Sequence, residues 1–203
     1  NLLADTDPQD RHIMIGGHHL VEGNLLTDNV ECGIAAWNTE SVRIVGNLVR
    51  GNCARGAEKP IYFLADAEAA GIKVHAFRHG VIEANLVENN SSFGIWLDNG
   101  WENARVTRNV CIANRGAGIF VELGFGPILV DHNFSAANTP LWIPYSGDGI
   151  YTHDASNITI AHNTLLDNAR DGLHELVVTE RSYANRRLCE ASNETITGNL
   201  FSG

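Results

Sequence analysis

The sequence predicts an all-β chain wound as a single-stranded right-handed parallel β-helix, a solenoid of about seven to eight coils carrying asparagine ladders. Three columns of residues predict it. The first is Asn24, Asn47, Asn85, Asn109, Asn133, Asn163 and Asn199, most of them closing a β-type stretch such as SVRIVGN, ARVTRN or NITIAHN. The second lies five residues further on, at Asn29, Asn52, Asn90, Asn114, Asn138 and Asn168. The third is glycine, four residues beyond most of those, at Gly33, Gly56, Gly94, Gly118 and Gly172. Asn1, 23 residues before Asn24, extends the first column.

Each unit therefore reads strand, Asn turn, short strand, Asn-x-x-x-Gly turn, strand. Steps of 23 or 24 residues recur, while steps of 38, 30 and 36 are the same unit with an insertion. Such a unit cannot bury its apolar face alone, so copies must stack, each lending its strands to parallel sheets that run along the stack. Asparagines at equal positions on consecutive coils then bond amide to amide, at turns where left-handed backbone is tolerated. The insertions, about residues 57–70, 139–148 and 177–193, are expected as loops rising from turns. Residues 1–203 are read as one β-helix domain, incomplete at both ends because the chain starts and stops within a repeat. Open β-helix ends expose apolar surface and strand edges, so missing capping segments or an oligomeric partner are expected there.

Composition agrees. At 203 residues and 44% hydrophobic the chain can bury a sizeable core. Its 20 glycines and single methionine suit strands and tight turns rather than long helices. A formal net charge of −10 with no basic run excludes nucleic acid and anionic membrane as partners. No run approaches the ~20 apolar residues of a membrane span. The chain begins with Asn rather than Met, which leaves the compartment open. Cys32, Cys53, Cys111 and Cys189 show no CxxC and no metal-ligand spacing, and are read as buried free thiols. Neither a metal nor a cofactor is expected.

The strands beginning at Gly33, Gly71, Gly94, Gly118, Gly149 and Gly172 carry the chemistry. One and three residues after each glycine the chain is mostly Ile, Val or Leu, so those offsets face the core and offsets two and four face outward. Offset two gives Ala35, Lys73, Trp96, Phe120, Tyr151 and His174; offset four gives Trp37, His75, Asp98, Glu122, His153 and Leu176. Asp98 and Glu122 thus stand at the same offset one coil apart. With parallel strands roughly 4.8 Å apart, their carboxyl groups are expected about 5 Å apart, the spacing of a retaining glycosidase rather than the roughly 6.5–9.5 Å of an inverting one. Carboxylates so close push their pKa values apart into an acid and a nucleophile, and Phe120 and Phe125 would desolvate Glu122 toward the acid's role. Like charges on adjacent strands destabilise, so their retention there points to a task. Trp96, Phe120, Tyr151, Trp37 and Trp101 are candidate faces for a sugar ring, and Lys73, His75 and His153 candidates to fix its hydroxyls. His174 and Glu175, beyond the central coils, are read as surface positions.

The run GIWLDNGWENARVTRNVCIANRGAGIFVELGFGPILVDHN resembles the catalytic segment of glycoside hydrolase family 120, right-handed β-helix enzymes of β-xylosidase type. The resemblance covers about residues 70–165. It implies that the aspartate of the WLD phrase, Asp98, is the nucleophile and the glutamate of the FVE phrase, Glu122, the acid/base. It departs from the family where Gly124-Phe125 replaces an expected Asn-His before Gly-Pro, and in showing no β-sandwich domain. The expected function is retaining hydrolysis of β-linked xylosides or related oligosaccharides. The alternatives are a polysaccharide lyase or epimerase acting on uronate polymers, with Lys73, His75, Tyr151 or His153 as base, and a non-catalytic carbohydrate-binding β-helix. An acidic calcium cluster or an arginine row, which a lyase or epimerase would need, is not evident in the sequence.

Overall fold

A computed structural model describes residues 16–53, 68–141, 147–178, 182–183, 187–188 and 191–203. Three short strands make each coil. The first coil holds β1 (Gly16–Gly17), β2 (Leu20–Glu22) and β3 (Leu25–Thr27); the second β4 (Ile34–Glu40), β5 (Arg43–Val45) and β6 (Leu48–Arg50). The third holds β7 (Ala70–Arg78), β8 (Val81–Glu83) and β9 (Leu86–Glu88); the fourth β10 (Phe93–Asp98), β11 (Ala104–Thr107) and β12 (Val110–Ile112). The fifth holds β13 (Ile119–Glu122), β14 (Ile128–Asp131) and β15 (Phe134–Ala136); the sixth β16 (Ile150–His153), β17 (Ile158–Ala161) and β18 (Thr164–Leu166). The seventh opens with β19 (Leu173–Leu176), detours through the antiparallel pair β20 (Ser182–Tyr183) and β21 (Arg187–Leu188), and closes with β22 (Thr195–Thr197) and β23 (Leu200–Ser202).

Equivalent strands pair in parallel into three sheets of seven strands, each coil adding one strand to each sheet. The fold is therefore the parallel β-helix that the columns predict, with seven described coils. Of the expected loops, 57–70 lies outside the described residues up to residue 67, and Ala70 already belongs to β7. In 139–148, residues 142–146 lie outside them, and 177–193 contains the β20–β21 hairpin. Cys32, Cys53 and Cys111 are free thiols, and Cys189 lies outside the described residues. Burial pushes the Cys53 and Cys111 thiols far above the usual range, which makes them inert core residues.

Both asparagine columns form ladders. In the first, Asn85 donates from its backbone N and its Nδ2 to Asn109 Oδ1, at 3.0 and 2.9 Å, and Nδ2 also reaches the Ile44 carbonyl at 2.9 Å. Asn109 repeats the pattern onto Asn133 and the Ile82 carbonyl. The second ladder runs the same way from Asn29 to Asn168. One asparagine side chain thus serves two backbone groups of the preceding coil, an N–H and a strand carbonyl left unpaired at the corner, and bonds to the asparagine side chain of the next coil. The left-handed residue is not the asparagine but the one before it: Ala84 (φ 54°), Arg108 (φ 56°), His132 (φ 55°) and Ala113 (φ 54°) all adopt it. A non-glycine residue there costs about 1–3 kcal/mol, and the reciprocal amide bonds hold it in place.

The inside of the coil is stacked aliphatic. Ile72, Ile95, Ile119 and Ile150 at offset one and Val74, Leu97 and Val121 at offset three all lie in one buried cluster. Each such side chain contributes roughly 1.5–3 kcal/mol by its burial. Glycine opens the first-sheet strands because coils approach closely there: a Cβ on Gly94 would run into the Gly118 carbonyl oxygen.

Candidate functional site

The first sheet places both outward columns as the spacing requires. Its register pairs Ala35 with Lys73, Lys73 with Trp96, Trp96 with Phe120, Phe120 with Tyr151 and Tyr151 with His174. At offset four it pairs Trp37 with His75, His75 with Asp98 and Glu122 with His153. The β10–β13 register, Leu97 opposite Val121, continues by one residue to set Asp98 beside Glu122.

This outer face is covered rather than solvated. Trp96, Phe120 and Tyr151 are buried with Phe93, Ala70, Ala117 and Leu141 in a second apolar cluster outside the coil. Their rings stack on one another, Trp96 on Phe120 at 5.0 Å and Phe120 on Tyr151 at 4.6 Å between centroids. They build the floor beside the carboxylates and offer little free ring face. Trp101 is a correction: it is fully buried in the inner core, so it has no face for a sugar. Its indole Nε1 instead donates to the Glu122 carbonyl at 2.8 Å, fixing the backbone of that residue. A Cβ on Gly124 would collide with this indole, which accounts for a small residue at that departure from the family phrase. The spacing missed Trp101's direction because Trp101 follows the strand, where alternation ends. Trp37, 37% exposed and stacked on His75 at 4.7 Å, keeps an open aromatic face at one end of the row.

Asp98 and Glu122 are 5% and 7% exposed. Lys73, 1% exposed, places Nζ 3.0 Å from Asp98 Oδ2 and 2.8 Å from Glu68 Oε2, and lies 3.7 Å above the Trp96 ring. A buried ammonium is held here by two carboxylates and a π face, the pairing that a charge removed from water requires. His153 Nδ1 lies 3.8 Å from Glu122 Oε1, and its Nε2 3.3 Å from Asp154 Oδ2. Burial pushes the His75 imidazole below its usual range; the Asp98 charge opposes this and the Lys73 charge reinforces it. Each carboxylate of the pair therefore has its own basic neighbour. Asp98 faces an ammonium and Glu122 an imidazole.

Glu68 and Asp154 belong to this cluster, and the alternating columns did not include them. Glu68 precedes β7, and Asp154, fully buried, follows β16 in left-handed backbone. The signal for Asp154 was its direct adjacency to His153 in YTHDAS.

A family described as "Right handed beta helix region" matches residues 64–203, and one described as "Periplasmic copper-binding protein (NosD)" matches residues 9–116. No curated protein matches the chain. Among solved structures, a complex of XylC with xylose is similar at 24% identity and TM-score 0.66, over 83% of this chain and 23% of that one. A mutant of the periplasmic alginate epimerase AlgG is similar at 18% identity and TM-score 0.69, over 92% of this chain and 45% of that one. The A-module of the Azotobacter vinelandii mannuronan C-5 epimerase AlgE4 is similar at 16% identity and TM-score 0.72, over 93% of this chain and 47% of that one. The chain thus spans about a quarter of the first and under half of the other two. At such identities the likeness is one of fold. With each profile matching more than half of its length, the chain belongs to these right-handed β-helix families.

Proposed function

We propose that the protein is a carbohydrate-active enzyme, a retaining glycoside hydrolase acting on β-linked xylosides or related oligosaccharides, with Asp98 as nucleophile and Glu122 as acid/base. One observation carries the reading: two nearly buried carboxylates at the same offset of neighbouring strands, each with its own basic partner. Strands about 4.8 Å apart suit the roughly 5–5.5 Å between carboxyl groups that retention needs. The family 120 resemblance of this segment and the likeness of fold to XylC, solved with xylose, support the substrate class.

In this mechanism Lys73 engages Asp98 Oδ2 and orients the carboxylate, while Oδ1 attacks the anomeric carbon from the face opposite the aglycone. Glu122 gives its proton to the departing glycosidic oxygen as that bond breaks. Glu122, now a carboxylate, takes a proton from water, which attacks the same carbon and releases Asp98. Two displacements leave the configuration unchanged. His153 stands where it can follow the charge on Glu122, and Trp37 is the aromatic face available to a sugar ring.

A 2-fluoro-β-xylosyl inactivator tests this directly, because the reading expects a covalent adduct on Asp98. Proton NMR of an aryl β-xyloside should show the β-anomer first, and an α-anomer formed before mutarotation overturns the retaining assignment. A second reading, a uronate C-5 epimerase or lyase, is favoured by the fold likeness to AlgG and AlgE4 and by the buried bases Lys73 and His75 with the half-buried His153 beside them. Incubation with mannuronan, followed by NMR for guluronate or unsaturated ends, separates it from the hydrolase. Sugar binding without turnover in either assay would leave the non-catalytic alternative.

A further inference from the structure

We propose that Asp148, Asp171 and His174 form a binding site for a divalent transition ion of the zinc class, held between the sixth and seventh coils. One potential ligand atom from each of these residues lies within 4.8 Å of the other two. No sequence motif announces the site, because its ligands come from successive coils and meet only when the coils stack. Asp148 and Asp171 occupy the same turn, each directly before the glycine that opens a first-sheet strand. Their backbones are joined by the Gly149 N–H bond to the Asp171 carbonyl at 2.9 Å. His174 stands at offset two of β19, beside Tyr151, with ring centroids 5.1 Å apart.

Three observations point to a ligand rather than to a plain ion pair. His174 Nδ1 is equidistant from the two carboxylates, 3.6 Å from Asp148 Oδ1 and 3.6 Å from Asp171 Oδ2. That is too long for a hydrogen bond to either. It matches the separation of about 3.3–3.6 Å between donors that share a tetrahedral ion with bonds of about 2.0–2.2 Å. Next, Asp148 is fully buried; its Oδ1 accepts the Asp171 backbone N–H at 3.2 Å, while among the described residues its Oδ2 has no hydrogen-bond partner, nor has the buried Nδ1 of His174. A buried carboxylate oxygen without a partner is costly, and a cation is what satisfies it. Finally, the residue before the strand-opening glycine is Ala70, Phe93 or Ala117 in the third to fifth coils, all in the outer apolar cluster. It becomes Asp only in the sixth and seventh. The change from apolar to acidic coincides with the arrival of a histidine in the aromatic column.

One nitrogen and two carboxylate oxygens suit zinc, which takes imidazole and carboxylate in a four-coordinate shell. Calcium, which favours an all-oxygen shell of six to eight ligands, is a poor match. Arg170 Nη2, 3.8 Å from Asp171 Oδ2, is the competing cation on the outer side. The fourth position falls to water. The ion would clasp the last two coils beside the end of the aromatic row. The inference is independent of the hydrolase reading, and its test has no activity readout.

The test is calorimetric titration of the chelator-stripped protein with zinc chloride, with far-UV circular dichroism on every sample. The expected result is one ion per chain and a rise in the thermal midpoint. H174Q and D148N should each weaken binding by more than the roughly 10–100-fold that loss of an outer partner costs. His132→Ala, which alters the separate His132–His162 ring pair, should bind as the parent does. If D148N does not fold, D171N at the 54%-exposed ligand takes its place and should still weaken binding at least about 10-fold. Absence of one-to-one binding by the folded parent overturns the proposal. So does binding by folded H174Q that equals the parent's, since the ion would then sit elsewhere.

Discussion

The outer faces of the first and second sheets are built from the same strand spacing and the same ladders, yet they treat charge in opposite ways. On the second sheet Arg105 holds Asp131 through two hydrogen bonds of 2.9 and 2.7 Å, and Arg108 holds Glu83 at 2.9 Å. There the arginines remain in water, 42% and 57% exposed. On the first sheet Lys73, Asp98 and Glu122 are almost wholly withdrawn from solvent and boxed by aromatic rings. A pair in contact with water on both sides, as Arg108–Glu83 is, contributes little and costs little, whereas Asp131 is itself buried and depends on the two bonds from Arg105. A buried set of charges pays a large desolvation penalty that an apolar replacement would avoid. A repeat fold offers many positions for cheap apolar filling, so the charges on the first sheet support the proposal that this is the working face.

That contrast can be broken at several points. The largest effect is expected from Asp98→Asn, which should lower kcat on an aryl β-xyloside by about 10³-fold or more, while Arg105→Met on the other face leaves turnover within about twofold. Equal losses from both would erase the distinction. Lys73→Met should cost about 3–5 kcal/mol of stability, because it leaves Asp98 buried without its cation. Urea unfolding reads this, and a cost under about 1 kcal/mol would mean that the face is wetter than its burial implies.

Asn109→Ala probes what the two faces share. It removes the acceptor for two Asn85 donors and the donor to Ile82, and should cost about 3 kcal/mol, spread over every probe of unfolding alike. His75 sets a milder effect with a definite sign. Its folded pKa lies below its unfolded one, so the stability tied to its neutral form is present above pH about 6.5 and is lost as pH falls toward the folded value. His75→Gln should flatten the stability curve below about pH 6.5; an unchanged slope would assign the effect to another group. Arg108→Met, which gives up only the solvent-accessible pair with Glu83, should be the smallest, at most about 1 kcal/mol and less in high salt. Desolvation raises the Asp131 carboxyl, but the bonds from Arg105 and His132 outweigh it and hold the group below its usual range. The Arg105 contribution is therefore expected above pH about 4 and fades below it.

How much was legible differs between backbone and side chain. Columns Asn24 to Asn199 and Asn29 to Asn168 were readable as ladders because a ladder demands one residue type at one position of every coil, and that demand repeats along the chain. The same logic placed Asp98 beside Glu122 and sent Lys73, Trp96, Phe120 and Tyr151 to the outer face, since alternation along a strand is strictly two-fold. It failed at Trp101, which lies past the strand end, where no period applies and a turn sent the indole inward to Glu122.

By itself, then, the sequence determined the solenoid, its register and which side chains share a face, because these follow from periods of two along the strand and about 24 along the chain. Only the tertiary structure decided how those shared faces are solvated. That the outer face of the first sheet is closed over Lys73 and Asp98, that Glu68 and Asp154 join the cluster, and that Asp148, Asp171 and His174 converge all depend on what covers a residue from other coils. Burial and convergence are properties of the three-dimensional neighbourhood, which is not periodic wherever the coils differ in their turns and insertions.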